Sequence, residues 1–427
     1  MRRPRGWWLA LVAAAAAAGV VAAGGDADAK GGGKRGRRAW KVRPVEVADA
    51  DRQAVLDGSV AFALDLWRRL PGPDEGDQVC SPASATVALG MLLEAARGTT
   101  REELASVLRV PLPEERAAPA FQSVLADLAP GPGSRHRLAL ANALWTARQL
   151  SFRPGFAESL GLHFGARAAE ADFASDPERA RRRVNAWGRR HTWGVVEEVL
   201  PAGSVHELTA FVLANAVYFK GRWARPFPRE ATAERPFRLA DGTVVDTPTM
   251  AVEGTFRVAS RPGLTLVELP YEGDETALLV AVPDDPAGLA SLEAALTPEL
   301  LVDWVDALGP EHVALAFPRF RTRSRLDLEA PLAATGMPTA FVPFDADLSG
   351  AVGLPGETFV EQVLQAAEIR VDERGTEAAA VTAVTVAITS APPPLAVDRP
   401  FLYLLRHRET GLVLFLGRMT DPRADGP

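Results

Sequence analysis

Residues Glu373 to Ser390 read E-R-G-T-E-A-A-A-V-T-A-V-T-V-A-I-T-S, and this stretch decides the fold. It carries no charge after Glu377, contains no proline, and is rich in β-branched residues in its second half. Because side chains alternate between the two faces of a strand, the pattern predicts a strand with one face suited to a core. The residues that share this face are Thr376, Ala378, Ala380, Thr382, Val384, Val386 and Ile388.

The residues on either side of this stretch permit a second conformation. Gly375 supplies a permissive backbone hinge. Residues 391–394 read A-P-P-P, which favours a stiff extended exit. The same segment therefore fits either a buried strand or an exposed loop, and these residues alone leave both conformations open.

The start of the stretch resembles the loop hinge of inhibitory serpins, which favours E-x-G-T-E-A-A-A-x-T. Residues 373–382 read E-R-G-T-E-A-A-A-V-T. Fourteen residues beyond Gly375, the resemblance places the reactive bond at Thr389–Ser390, and Ile388 is the alternative if the register differs by one residue. The hinge residues that it implies are Glu373, Gly375, Thr376, Glu377, Ala378, Ala379, Ala380 and Thr382.

Further motifs that resemble the serpin family follow in the expected order over almost the whole chain after the N-terminal tail. They are S-P-A-S at 81–84, G-T-T at 98–100, N-A-W at 185–187, L-A-N-A-V-Y-F-K-G-R-W at 213–223, D-L-S-G at 347–350, R-P-F at 399–401 and F-L-G-R at 415–418. The chain is therefore similar to an inhibitory, exported, prokaryote-like serpin. This resemblance implies an α+β fold with large mixed β-sheets, about eight to nine helices and an exposed reactive-centre loop.

The resemblance also implies a function, which is inhibition of serine proteases by suicide-substrate trapping. A target protease would attack Thr389, form a covalent acyl complex, and be carried along as residues 376–389 insert into the main sheet. Thr389 is small, β-branched and uncharged, which favours elastase-like or subtilisin-like targets over trypsin-like ones. The alternative is a non-inhibitory serpin-fold binding protein, chaperone or carrier. Neither interpretation makes the chain an enzyme or requires a cofactor.

A buried polar cluster beneath the main sheet is a further expectation from the resemblance. Its members in this chain are Ser81, Ser84, Asn215 and Gln365. Gln365 stands where many serpins have a histidine. Its amide both donates and accepts, so it could bond Asn215 or the hydroxyls of Ser81 and Ser84, but it has no protonation switch.

The N-terminus predicts export and a three-part organisation. Three arginines precede an apolar run from Trp7 to Ala23, which is typical of a secretory signal, and an uncleaved membrane anchor is the competing interpretation. We expect a signal peptide over 1–29, a basic flexible spacer over 30–47 and a single serpin domain over 48–424. The expected protein is a monomer without a membrane span after signal removal, located in the extracellular space, the periplasm or at the cell surface.

Composition and charge fit one large exported domain. The 427 residues are 47% apolar, and the formal net charge is −7. The single cysteine, Cys80, excludes an intramolecular disulfide and is expected in the core. The arginines between Arg179 and Arg190 are interpreted as a solvated helix face, so no nucleic acid partner is predicted. No helix equivalent to a cofactor site of the family is basic enough in sequence to predict heparin or another polyanion as a partner.

Enzyme and metal motifs are not satisfied. His206-Glu207 begins like a zinc-protease motif, but position 210 is alanine, so no metal site is predicted. No G-x-S-x-G elbow is present. Hydrophobic periodicity predicts helices over Asp49–Leu70, Ser84–Ala96 and Phe121–Leu128. It predicts strands over His136–Trp145, Thr209–Phe219, Thr265–Leu269, Thr276–Val282, His312–Phe317 and Leu412–Arg418.

Overall fold

The computed structural model describes residues 42–128, 136–375 and 392–423, which form nine α-helices and fourteen β-strands. The helices are α1 Asp49–Trp67, α2 Pro82–Ala95, α3 Gly98–Leu108, α4 Glu114–Leu128, α5 Pro154–His163, α6 Pro177–His191, α7 Leu289–Ala295, α8 Pro298–Ala307 and α9 Glu329–Thr335. The strands are β1 Gln78–Cys80, β2 Arg137–Ala147, β3 Arg167–Ala171, β4 Phe211–Lys220, β5 Ala233–Arg238, β6 Val244–Arg261, β7 Leu264–Pro270, β8 Thr276–Pro283, β9 Gly309–Pro318, β10 Phe320–Asp327, β11 Gln362–Val371, β12 Pro394–Ala396, β13 Phe401–His407 and β14 Val413–Met419.

A five-stranded sheet with the order β10-β11-β4-β2-β3 carries the candidate site. Its central strand, β4, pairs antiparallel with β2 on one side and parallel with β11 on the other. All of β4 except Lys220 is buried. A strand covered on both faces reads as a near-continuous apolar run, and residues 211–219 are apolar except for Asn215.

The other sheet has nine strands, with the order β1-β14-β13-β8-β7-β6-β9-β12 and β5 added to the side of β6. The long strand β6 makes this branching possible, because its first residues pair with β5 and its last residues pair with β7. The two sheets are mixed and the helices are interleaved irregularly along the chain. The predicted α+β class is confirmed.

Two apolar cores flank the five-stranded sheet. The larger one includes the buried faces of α1 and α2 together with the nine-stranded sheet. The smaller one lies between the outer face of the five-stranded sheet and α6, where Val184 and Trp187 of the helix join Ala214 and Ala216 of β4. Helix α6 therefore covers part of β2 and β4 on this face.

Local sequence explains where the helices that frame the site begin. The hydroxyl of Ser81 accepts a hydrogen bond from the backbone N–H of Ser84 at 3.4 Å, and Pro82 occupies the first position of α2. The carboxylate of Asp176 accepts from the N–H of Arg179 at 2.8 Å, again with proline at the first helical position. Both helices thus start with a capping side chain followed by proline.

The periodicity-based predictions agree with the structure to within a few residues, except that α4 begins earlier. The three predicted helices correspond to α1, α2 and α4, and the six predicted strands correspond to β2, β4, β7, β8, β9 and β14. Cys80 is fully buried, as expected, and burial raises the pKa of its thiol above the usual range. In the part of the chain that the structure describes, none of the helices combines the length and apolar character that crossing a membrane requires.

The end of the expected spacer contacts the folded domain. Val42 is buried in the larger core, and the backbone carbonyl of Arg43 accepts a hydrogen bond from the side-chain amide of Gln122 at 2.9 Å. Residues 42–47 have no regular secondary structure. Packing against the domain therefore starts before residue 48. The signal peptide and the rest of the spacer, residues 1–41, lie outside the described residues.

Candidate functional site

The predicted hinge forms a tight turn at the carboxyl end of β11. The N–H of Asp372 donates to the carbonyl of Gly375 at 2.9 Å, and the N–H of Gly375 donates back to Asp372 at 3.2 Å. These two residues form an antiparallel bridge, with Glu373 and Arg374 as the two turn residues. The chain therefore reverses direction between Asp372 and Gly375.

Position 375 can accept only glycine without strain. Its φ of +129° lies in a region that side chains disfavour. A Cβ atom there would lie 2.2 Å from the carbonyl oxygen of Gly221, which is far inside van der Waals contact. Arg222 also bridges to Gly375. The glycine of the hinge motif is thus required by a close backbone approach.

The segment after β4 holds the turn in place. The N–H of Trp223 donates to the carbonyl of Arg374 at 3.0 Å, and the N–H of Phe227 donates to that of Glu373 at 2.8 Å. The indole N–H of Trp223 donates to the carbonyl of Asp372 at 2.9 Å. The indole itself stacks on Tyr271 with ring centroids 4.4 Å apart. Every turn carbonyl from 372 to 374 therefore has a partner.

The carboxylate of Glu373 is buried at this turn. Its Oε1 accepts a hydrogen bond from the hydroxyl of Thr232 at 2.9 Å and lies 3.7 Å from Nη1 of Arg319. A buried carboxylate requires such partners, because removal of a charge from water is costly. Glu373 therefore ties the hinge to the segments around β5 and β10.

The seam between β4 and β11 is incomplete at the hinge end. Seven residue pairs join the two parallel strands, from Gln362 opposite Val212 to Glu368 opposite Tyr218. Both strands continue further, β4 to Lys220 and β11 to Val371. The strand ends next to the hinge are thus not paired with each other, and parallel pairing is slightly weaker per residue than antiparallel pairing.

The structure brings the predicted polar cluster together beneath the middle of this seam. Asn215 of β4 donates from Nδ2 to the hydroxyl of Ser84 at 2.5 Å. The hydroxyl of Ser81 donates to the carbonyl of Leu414 at 2.6 Å. All of these side chains are buried. The cluster links β4, the start of α2 and the nine-stranded sheet.

The expectation for Gln365 is wrong in its partners. Its side chain bonds neither Asn215 nor a serine hydroxyl. The N–H of Ser81 donates to its Oε1 at 2.7 Å, and its Nε2 donates to the carbonyl of Ser81 at 3.0 Å. A carboxamide matches the paired donor and acceptor of a backbone unit, which explains this choice. Gln365 therefore fixes β11 to the residue that caps α2.

Sequence reasoning missed Asn142, which completes the cluster. Asn142 of β2 lies opposite Asn215, and its Oδ1 accepts from Nδ2 of Asn215 at 2.6 Å. The available signal was a lone polar residue in the apolar strand R-L-A-L-A-N-A-L-W. Oδ1 of Asn215 is buried with no hydrogen-bond partner among the described residues. Nδ2 of Asn142 beside it is likewise buried without a partner among the described residues, and buried polar atoms of this kind call for a reason.

The remaining predicted site residues lie outside the described residues. These are Thr376, Glu377, Ala378, Ala379, Ala380 and Thr382 of the hinge and the reactive bond Thr389–Ser390. Among the residues that are described, no group of three or more His, Cys, Asp and Glu side chains could hold a metal ion. Nε2 of His206 instead faces the carboxylate of Glu361 at 2.5 Å.

Comparisons with known proteins agree on one family. Residues 57–422 match the family described as serpin (serine protease inhibitor). Plasminogen activator inhibitor 1 of Neovison vison is 34% identical over 368 residues, which cover 84% of this chain and 91% of that protein. Leukocyte elastase inhibitor of Equus caballus is 35% identical over 375 residues, which cover 84% and 97%. The solved structure of human thyroxine-binding globulin, bound to its hormone, has a TM-score of 0.79 at 26% identity and covers 87% of this chain and 99% of that one.

Proposed function

The chain belongs to the serpin family, and on that premise we propose that it inhibits serine proteases as a suicide substrate. In this proposal the protease serine attacks the carbonyl carbon of Thr389. The peptide bond to Ser390 breaks, its amine leaves with a proton, and an acyl-enzyme ester remains. Residues 376–389 then insert between β4 and β11 and carry the protease with them before water can release it.

The observation that carries this proposal is the incomplete pairing between β4 and β11, beside the turn in which the chain reverses direction. The ladder between β4 and β11 stops at Glu368 and Tyr218, before either strand ends. The turn at 372–375 already directs the chain antiparallel to β11 at that same end. A strand that entered from the hinge would therefore start at strand ends that are not paired with each other, and would then replace the seven pairs beyond them.

The hinge also defines a register for insertion. Asp372 pairs with Gly375, so continuation of this pairing would set Thr382 opposite Gln365. Residues directly opposite in a sheet share a face. Gln365 faces the core, where it contacts Ser81. The inserted strand would thus turn Thr382 and its alternate neighbours inward, which is the face that its apolar pattern favours.

The unpartnered oxygen of Asn215 supports this register. Asn215 lies opposite Gln365 across the seam, on the same core-facing side. An inserted Thr382 would lie between the two and could donate its hydroxyl to Oδ1 of Asn215. A buried acceptor without a partner costs about 1–3 kcal/mol, so its satisfaction would favour the inserted state. The polar cluster would then stabilise the product more than the starting fold.

The proposed target class is elastase-like or subtilisin-like proteases. The small side chain of Thr389 suits a small or shallow primary pocket and leaves the acidic pocket of a trypsin-like protease unpaired. The name of one relative, leukocyte elastase inhibitor at 35% identity, is in line with this choice. Ile388 is the recognised residue if cleavage occurs one bond earlier.

The test is complex formation by the full chain with pancreatic elastase, subtilisin and trypsin. We expect SDS-stable complexes with elastase or subtilisin and a released C-terminal peptide that begins at Ser390 by mass spectrometry. Thr389→Arg should transfer complex formation to trypsin, and the matched variant Ile388→Arg should not. If wild type forms complexes with none of the three, or with trypsin alone, the proposal fails.

A second candidate is a binding or carrier protein that does not trap proteases. Human thyroxine-binding globulin shares the fold at 26% identity, and its name states a binding role. Cleavage of the chain within residues 386–390 separates the two functions. An inserting inhibitor should gain a large increase in Tm on cleavage, whereas a carrier with a fixed sheet should gain none.

We also propose export, with residues 1–29 as the signal peptide, 30–47 as the spacer and 48–424 as the inhibitory domain of a monomer. The apolar run from Trp7 to Ala23 after three arginines supports this assignment. N-terminal sequencing of protein recovered outside the cytoplasm should begin near residue 24 or 30. Recovery of the intact chain, starting at Met1, from a membrane fraction would instead favour the anchor.

A further inference from the structure

The ladder that joins β4 and β11 contains two buried side-chain oxygens with no hydrogen-bond partner among the described residues. One is Oδ1 of Asn215, in the polar cluster. The other is Oε1 of Gln362, the first residue of β11. A buried acceptor without a partner has given up its hydrogen bonds to water and gained none in return. The two oxygens therefore point to a donor that is supplied in another state of the chain.

The two oxygens lie three residues apart along the ladder and on opposite faces of the sheet. Asn215 lies opposite Gln365, on the core-facing side. Gln362 precedes Gln365 by three residues, and an odd spacing along a strand reverses the face. Leu364 and Ala366, which share the face of Gln362, belong to the smaller core on the α6 side. A strand that satisfied both oxygens would thus need two donors three residues apart.

The segment that is proposed to insert contains one such pair of donors. Residues 376–389 read T-E-A-A-A-V-T-A-V-T-V-A-I-T, and only Thr382 and Thr385 are threonines spaced by three. The hinge register described above sets Thr382 opposite Gln365. In the same register, Thr385 lies opposite Gln362. The two hydroxyls of this T-x-x-T pair therefore arrive at the levels of the two unpartnered oxygens, each on the matching face.

Neighbouring registers lose this match. A shift by two residues keeps the faces of the inserted strand but sets alanine or valine opposite both Gln362 and Gln365. A shift by one residue moves every side chain to the other face, so the apolar set no longer faces the core. The polar atoms and the apolar pattern thus favour the same register.

We propose that the unpartnered oxygens of Gln362 and Asn215 select the register of the inserted strand. Thr385 donates its hydroxyl to Oε1 of Gln362. Thr382 serves Oδ1 of Asn215 in the same way. The inference rests on the proposed insertion of residues 376–389 between β4 and β11, and it adds Gln362 as a residue that determines which strand the sheet accepts. The register matters because it fixes how far along the sheet the reactive bond is carried.

The experiment measures binding of synthetic peptides to the intact full-length chain, so no protease takes part. The reference peptide has the sequence of residues 376–389, and its Kd is measured by competition with a fluorescently labelled copy. Thr385→Val in the peptide removes the hydroxyl and keeps the shape, and we expect it to bind about tenfold more weakly. Thr376→Val, the matched control, makes the same change opposite Val371 and should bind within about twofold of the reference.

Gln362→Leu in the protein tests the contact itself through a double-mutant cycle. Without the carboxamide, the reference and Thr385→Val peptides should bind equally to within about twofold. The Tm of the free variant should be no lower than that of wild type, because the substitution removes a buried oxygen without a partner. Equal binding of both peptides to wild type, or a tenfold difference that persists in Gln362→Leu, would overturn the inference. Absence of peptide binding to wild type would do the same.

Complex formation with elastase and subtilisin, measured on the same preparation, tests the proposed function separately. SDS-stable complexes together with equal binding of the two peptides would refute the role of Gln362 and leave protease inhibition standing. Peptide binding that depends on Thr385, without complexes, would refute protease trapping and leave the register selection standing. The two failures are therefore distinguishable.

Discussion

Strand β4 pairs with one strand on each side, and the two pairings differ in direction and in length. Ten antiparallel pairs join it to β2, from Arg137 opposite Lys220 to Thr146 opposite Phe211. Only seven parallel pairs join it to β11, and they stop short of the hinge end. We call the pairing of β4 with β2, which runs along the whole of β4, the closed seam. We call the pairing of β4 with β11, which stops before the hinge end, the open seam. In the proposed mechanism, the sheet would separate between β4 and β11.

The partner on the far side of the open seam supports this interpretation. Eight antiparallel pairs join β11 to β10. Glu368 of β11 also accepts from Nε of Arg321 at 2.8 Å and from Nε of Arg323 at 3.2 Å. If β11 separates from β4, it is therefore held to β10 by its ladder and by these charges. The two strands would move as a unit, which is the kind of bistable element that a switching protein needs.

A disulfide across the pairing between β4 and β11 is expected to have the largest effect. Ala216 lies opposite Ala366 across the open seam and opposite Ala141 across the closed one. In Ala216→Cys/Ala366→Cys, an oxidised disulfide would prevent separation of β4 from β11. We expect SDS-stable complex formation to fall on the order of 100-fold or more, with cleavage as an ordinary substrate, and to return on reduction.

The matched lock on the closed seam is the control. Oxidised Ala216→Cys/Ala141→Cys shares one cysteine with the first variant and should inhibit like wild type, because that seam does not open in the proposed mechanism. Mass spectrometry should show that both disulfides have formed. Inhibition that survives the first lock, or is lost equally with the second, would mean that β4 and β11 do not part.

Substitution of Gly375 at the hinge is expected to have the next largest effect. Gly375→Ala adds a Cβ at a φ of +129° and 2.2 Å from the carbonyl oxygen of Gly221. We expect the free energy of unfolding to fall by about 2–4 kcal/mol, from backbone strain together with overlap. Urea denaturation measures this change. The backbone of the hinge packs closely against Gly221, although β4 and β11 are not paired beside it. This variant tests how much that close packing contributes to stability.

Gly242→Ala separates the two causes. Gly242 also has a positive φ, of +85°, but a Cβ there would meet no atom within 4 Å. This variant should lose only about 1 kcal/mol, the cost of the backbone conformation. If the two variants lose the same amount, the close approach to Gly221 contributes nothing to the stability of the hinge.

The sequence predicted the fold and, by resemblance, named the hinge residues, but it did not predict how β4 and β11 pair. The hinge could be recognised because glycine at 375 and the small residues after it are local requirements. β11, with the sequence Q-V-L-Q-A-A-E-I-R-V, was not found, since its glutamines, alanines and glutamate are good helix formers. Its strand conformation comes from neighbours on both sides, which no local pattern encodes.

The pairing of strands across the sheet could not be predicted from the sequence either. The position at which the ladder between β4 and β11 ends depends on how two strands about 150 residues apart diverge. The contact of Gln365 with the backbone of Ser81 depends on where α2 begins relative to β11. Four residues of the polar cluster could be named in advance, but Asn142 and the hydrogen bonds within the cluster could not.

Acidification should destabilise the closed seam, and this is the smallest of the three effects. His136 precedes β2, is buried, and stacks on Phe219 of β4 with ring centroids 5.8 Å apart. Burial lowers its pKa, Glu275 at 3.5 Å acts in the opposite direction, and His407 adds to the lowering.

Because the pKa of His136 is lower in the folded state than the ordinary value near 6.5, the unfolded chain binds the proton first as the pH falls. Stability is therefore complete above about pH 6.5 and decreases as the pH falls from there towards the folded-state pKa. We expect Tm to fall between pH 7.5 and 5.5 and to fall less in His136→Gln. An equal slope in wild type and His136→Gln would show that His136 is not the titrating group.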